Sequence, residues 1–153
     1  MKLTSAAFEP NREIPSAYTA DGANRPPPLD WDDPPPGTRS FALIVDDPDA
    51  PDPRAPKMTW VHWVLYNLPA GLRALPEGGE LPAGAREGIN DWKRPGYGGP
   101  SPPVGQHRYF FKLFALGSEL PDLGLPTKAA LERAMEGHVL ARAELVGTYQ
   151  KPR

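Results

Sequence analysis

The sequence predicts a mainly β, single-domain protein over residues 1–153, and three observations carry that expectation. Branched and aromatic residues fall in short dense runs, the segments between those runs are too rich in proline and glycine for helix, and aromatic residues are spread from Phe8 to Tyr149. The 22 prolines and 15 glycines would by themselves suggest disorder. Their placement between well-patterned apolar runs makes them loops instead.

The first forty residues mix short apolar stretches with "ADGANRPPPLDWDDPPPGTRS", whose Asp-Gly and triple prolines exclude helix, so short edge strands on stiff loops are expected. "SFALIVDD", 40–47, is a continuous apolar run suited to a strand buried on both faces. "TWVHWVLYNLP", 59–69, is the second strong strand. Strict alternation would put Trp60, His62, Val64 and Tyr66 on one face and Val61, Trp63, Leu65 and Asn67 on the other. A meandering loop should follow.

"DWKRPGYGGPSPPVGQ", 91–106, holds four glycines and four prolines, and a loop this long inside a domain is usually functional or disordered. It feeds "HRYFFKLFAL", 107–116, a third strand with His107, Tyr109, Phe111 and Leu113 on one face. From Thr127, a plausible N-cap, the apolar spacing becomes helical, and Gly137 suggests a break between two short helices. No repeat or heptad series is visible.

Composition excludes several functions. A domain of this length buries about two-thirds of its unfolded surface and stands without staples, and with no cysteine there is no disulfide or thiolate chemistry. The net charge of -2, without a run of either sign, argues against nucleic acid as a partner. The N-terminus lacks the apolar core of a secretory signal and no segment approaches the ~18 apolar residues of a membrane span. A cytoplasmic protein without stable membrane insertion is the expectation.

Asp47, His62, His107 and Tyr109 thus stand at strand ends beside Gly/Pro loops, and in an antiparallel sheet they converge on one rim. Backbone N–H groups of Gly98, Gly99 and Gly105 could approach a ligand closely, since glycine carries no Cβ. The set describes an anion cradle in which histidine donates to an oxyanion. Asp47 could orient His107 or His62, accept a proton from a monoanionic phosphate, or meet an ammonium, and the orienting role is favoured. Asp49 and Arg54 read as structural loop contacts, and Arg108, on the face opposite His107, reads as an ion-pair partner for Asp49. Trp31, Trp63 and Trp92 read as core, His138 as surface or packing. A cis bond is expected at Pro102–Pro103.

"DPDAP…WVHW", followed some forty residues on by "GYGGPSPPVGQHRY", resembles the phosphatidylethanolamine-binding protein family in its bacterial and archaeal Raf kinase inhibitor-like branch. The resemblance runs from "PPPLDW" to the terminal "GTY". It implies a large central antiparallel sheet packed on a smaller one, with few peripheral helices. It also implies a pocket for phosphate, acetate and phosphoethanolamine-like groups, formed here by Asp47, Trp60, His62, Pro103, His107 and Tyr109 with backbone from Gly98 and Gly99. No cofactor or metal is implied. Homodimers and inhibition of kinases or serine proteases are further family traits. Two departures stand out: Ser101 replaces a cysteine frequent in microbial members, and Lys57 and Met58 stand where eukaryotic members place a tyrosine.

The reading that follows is a non-enzymatic binding protein for phosphate monoesters and related anions. The alternative is a hydrolase or metal-dependent enzyme using the same His/Asp cluster. Against it, the histidines lack metal-ligand spacing, and Ser101 lacks a nucleophile elbow. A third possibility is an interaction module whose proline-rich rim binds a partner.

Overall fold

The computed structural model describes residues 1–152. In chain order the strands are β1 (Leu3–Thr4), β2 (Leu29–Trp31), β3 (Ser40–Ala50), β4 (Met58–Pro69), β5 (Ala74–Leu75), β6 (Arg86–Glu87), β7 (Gln106–Leu116) and β8 (Val139–Gln150), with helix α1 (Lys128–Met135) between the last two. Two antiparallel sheets result: a central one ordered β6-β4-β3-β7-β8 and a small one ordered β1-β2-β5.

β3 lies mid-sheet and is buried on both faces, as its unbroken apolar run requires. On one face Phe41, Leu43 and Val45 join Tyr109, Phe111 and Leu113 of β7 under the small sheet's Leu3, Leu29 and Trp31. On the other, Ala42 and Ile44 pack with Phe114, Leu116 and the α1 residues Leu131 and Met135. Trp31 and Trp63 are core, as expected. The segment 11–14 runs along the outer edge of β8, with Asn11 and Ile14 N–H donating to Val146 and Thr148 carbonyls and Thr148 N–H donating to Arg12.

Two sequence expectations need correction. Thr127 does cap α1, its hydroxyl accepting from Ala130 N–H at 3.1 Å, but no second helix follows Gly137. That glycine, at φ +80, ends the helix in the left-handed conformation, and 139–150 pair with β7 along its whole length. Ala, Leu, Glu and Arg in "VLARAELV" favour helix locally, yet β7 needs a partner on that side and the pairing prevails.

The second correction concerns β4. Val45 pairs with Trp63 and Asp46 with Val61, so His62 is the extra residue of a β-bulge. Alternation therefore breaks: Trp63 and Leu65 lie in the small-sheet core, while Val61, Val64 and Tyr66 face α1. His62 and Trp63 share a side that strict period-two reading would separate.

Candidate functional site

The register sets the site. Asp47 lies directly opposite Trp60 across β3 and β4; on the other side, Asp46 opposes Phe110, so β7 brings its first residues to the same end of the sheet. A cavity of about 290 Å³ opens there, lined by Asp47, Trp60, His62, Pro103, His107 and Tyr109 among others. All six side chains expected at the pocket thus meet in one cavity. A larger groove of about 520 Å³ lies against α1 and the outer strands, with Lys112, Glu132 and Arg142 on its walls. No buried unpartnered polar atom lines that groove among the described residues, so the smaller cavity is the stronger candidate.

The two histidines, expected to act alike, differ in what they offer. His107 Nδ1 lies 2.6 Å from Asp47 Oδ2, and its Nε2 lies 2.8 Å from the Val104 carbonyl and 3.0 Å from that of Pro51. Carbonyls only accept, so Nε2 carries hydrogen, and Nδ1 shares one with the carboxylate. His107 therefore presents no free lone pair; it is a wall held by Asp47, whose other oxygen accepts from Asp49 N–H at 2.7 Å. This is the orienting role for Asp47. Burial raises the Asp47 carboxyl above the usual carboxylate range, with the His107 hydrogen bond opposing.

His62 lies in the floor. Its Nδ1 donates to the Gly98 carbonyl at 2.6 Å, while Gly98 N–H donates back to the His62 carbonyl at 3.0 Å. That leaves Nε2 buried with no hydrogen-bond partner. The ring meets Trp92 and Tyr109 edge to face at centroid distances of 5.1 and 5.2 Å. Burial lowers the His62 imidazole to about 4, so it is neutral at physiological pH. Burial, reinforced by the Asp47 charge, also pushes the Tyr109 phenol up, keeping it protonated.

The glycines do not serve as expected. Gly98 N–H is bound to His62, and Gly99 N–H donates to Asn24 Oδ1 at 2.8 Å; neither lines the cavity, nor does Gly105. Their lack of a Cβ admits close packing rather than a ligand. A Cβ on Gly98 would sit 2.3 Å from the Trp92 ring, and one on Gly99 would sit 2.6 Å from the Tyr18 carbonyl oxygen. Trp92 is thereby pressed toward the cavity it lines, a role the core reading missed. Buried Asn90 helps hold it, accepting from Trp92 N–H at 2.9 Å and donating to the Gly96 carbonyl at 3.0 Å. Met58, Ala50, Pro51, Ser101 and Pro102 complete the lining.

The surrounding loop is braced as the sequence suggested. Arg108 grips Asp49 through Nε at 3.0 Å and Nη2 at 2.9 Å, with its backbone N–H adding a third bond at 2.9 Å. These contacts hold the Asp49 carboxyl below its ordinary range, against burial. Arg54 N–H is capped by Asp52 rather than Asp49. The cis bond falls at Ala50–Pro51 and not, as expected, at Pro102–Pro103.

A cavity sunk into one end of a central antiparallel sheet, backed by a smaller sheet, is the architecture of a β-fold binding protein. Residues 4–150 match the phosphatidylethanolamine-binding protein family, and the chain belongs to that family. A UPF0098 protein of Methanothermobacter thermautotrophicus is 46% identical, the match covering 99% of both chains. Another, from Aquifex aeolicus, is also 46% identical over 99% of this chain and 89% of its own. Among solved structures, a phosphatidylethanolamine-binding protein homologue of Chlamydia trachomatis superposes with a TM-score of 0.92 at 42% identity, covering 99% of this chain and 97% of its own. YbcL of Escherichia coli gives 0.88 at 32% identity, covering 99% and 98%. No helix among the described residues is long and apolar enough to cross a membrane.

Proposed function

We propose that the protein is a non-catalytic binder of small oxyacids: carboxylates such as acetate, phosphate, and phosphate monoesters of the phosphoethanolamine kind. The observation that carries this reading is His62 Nε2, a buried ring nitrogen without a partner in a cavity of about 290 Å³. An unsatisfied buried polar atom costs roughly 1–3 kcal/mol, and a ligand oxygen is the natural partner for one at a pocket floor. Trp60, Trp92 and Tyr109 supply aromatic walls for a short organic substituent.

A hydrolase that uses His107 as its base is disfavoured. A serine nucleophile needs a neighbouring base with a free lone pair, and both ring nitrogens of His107 are engaged by Asp47 and two carbonyls. Ser101 itself is exposed. Regulation of a kinase or serine protease would act at the mouth, beside which Met58 and Val104 stand 48% and 52% exposed.

Titration of isotope-labelled protein with inorganic phosphate, phosphoethanolamine and acetate tests the proposal. The ring resonances of His62 and Tyr109 should move together and saturate. Unmoved resonances with all three would overturn the reading, as would turnover of generic esters abolished by His107→Ala.

A further inference from the structure

Resting on that binding reading, we infer that the cavity takes up its ligand together with one proton, held in the hydrogen bond between a ligand oxygen and His62 Nε2. The Gly98 carbonyl fixes the hydrogen on Nδ1, so the empty ring turns a lone pair, not a donor, toward an incoming group. A lone pair and a deprotonated oxygen are both acceptors. They join only if a hydrogen is placed between them, whether it arrives on the acid or on the ring.

The lining supplies no uncompensated positive charge, since His107 is paired with Asp47. No lysine or arginine borders the cavity, and the amides of Gly98 and Gly99 are committed to His62 and Asn24. The groups around His62 come from three elements. β3 contributes Asp47 on the cavity side and Asp46 on the far side, β7 contributes His107 and Tyr109, and the loop after β6 contributes Asp91 and Trp92. Burial above all, with His107, opposes a proton on His62, while the Gly98 hydrogen bond and the Asp46 and Asp91 charges favour it. Burial prevails in the empty site. A bound anion adds the further negative charge, at hydrogen-bond distance, that reverses the balance.

The consequence is selection by protonation state. Of a phosphate monoester the site takes the monoanion rather than the dianion; of a carboxylate it takes the equivalent of the free acid. Above the ligand and His62 pKa values, coupling to one proton weakens binding about tenfold per pH unit.

Calorimetry tests this on the intact chain. Acetate and, separately, inorganic phosphate are titrated at neutral pH in buffers of low and high ionisation heat, and the affinity is followed from about pH 6 to about pH 8. For acetate, one proton is taken up per ligand bound and Kd rises about 100-fold over that range. Phosphate, already partly protonated, takes up less than one. In parallel, the ¹⁵N resonance of His62 Nε2 leaves the free-imine position on ligand addition, a readout that needs no variant. His62→Gln, if it still binds, loses the pH slope. Binding with a flat pH profile, or with Nε2 still a free imine, overturns the inference and leaves the binding reading standing. Absence of binding by both ligands throughout the range overturns both.

Discussion

Asp46 and Asp47, neighbours in β3, face opposite sides of the central sheet and serve separate structures. Asp46 accepts from Lys112 Nζ at 3.0 Å and Lys128 Nζ at 2.7 Å, tying α1 to β7. Asp47 holds the wall of the cavity through His107. A pair of identical letters is thus divided between scaffold and site by the alternation of a strand.

Asp46→Asn should destabilise the fold by about 2–3 kcal/mol in urea unfolding. Breaking a fully buried pair costs about 3–5 kcal/mol; the lysine side chains here are 31% and 22% exposed and recover some hydration. A loss below about 0.5 kcal/mol would mean the two ammonium groups contribute nothing net.

At position 47 the replacement decides the outcome. Asp47→Asn can keep one hydrogen bond to His107, its amide donating to Nδ1, and should stay within about 1 kcal/mol of the parent. Asp47→Ala strands a buried ring nitrogen and should lose roughly 1–3 kcal/mol. Equal stability of the two variants would remove the orienting role.

The neutral, buried state of His62 makes stability pH-dependent. Its folded pKa, about 4, lies below the ordinary 6.5, so between those values the unfolded chain holds a proton that the folded chain refuses. Stability should therefore fall as pH drops from about 6.5 to about 4, by about 3 kcal/mol. Asp47 works in the opposite sense: its raised pKa means stability is regained as pH falls through the folded value. Subtracting the pH profile of His62→Gln from that of the parent isolates the histidine. Parallel profiles would mean that His62 titrates normally.

Adjacent glycines should fail differently. Gly98→Ala drives its methyl into the Trp92 side chain, which can yield, so the expected result is altered tryptophan fluorescence and at least tenfold weaker binding with a modest stability loss. Gly99→Ala meets backbone at Tyr18 and Thr19, which cannot move aside. It should cost about 1–3 kcal/mol, the range for overpacking. Reversal of that order would contradict this packing.

Much of this was legible from residues alone. β3 and β7 declared themselves by apolar density, Thr127 announced the helix start, and Arg108 on the face away from His107 pointed to Asp49. The bulge at His62 was not readable, because it arises only when β4 is paired against β3, a contact distant in sequence. Nor could composition say that the glycine amides are already occupied, or that Trp92 leaves the core: both depend on how 91–106 folds back over Asn24 and Tyr18. The residues of β8 suit a helix until β7 lies beside them.

The N-terminal segment along β8 bears on how two copies could associate. By occupying Val146 and Thr148, it closes that stretch of the sheet margin to strand addition, and the remaining outward stretch presents Arg142 and Glu144, charges that discourage pairing. At the other margin β6 offers two residues. A dimer of this chain would therefore not form by fusing two central sheets into one.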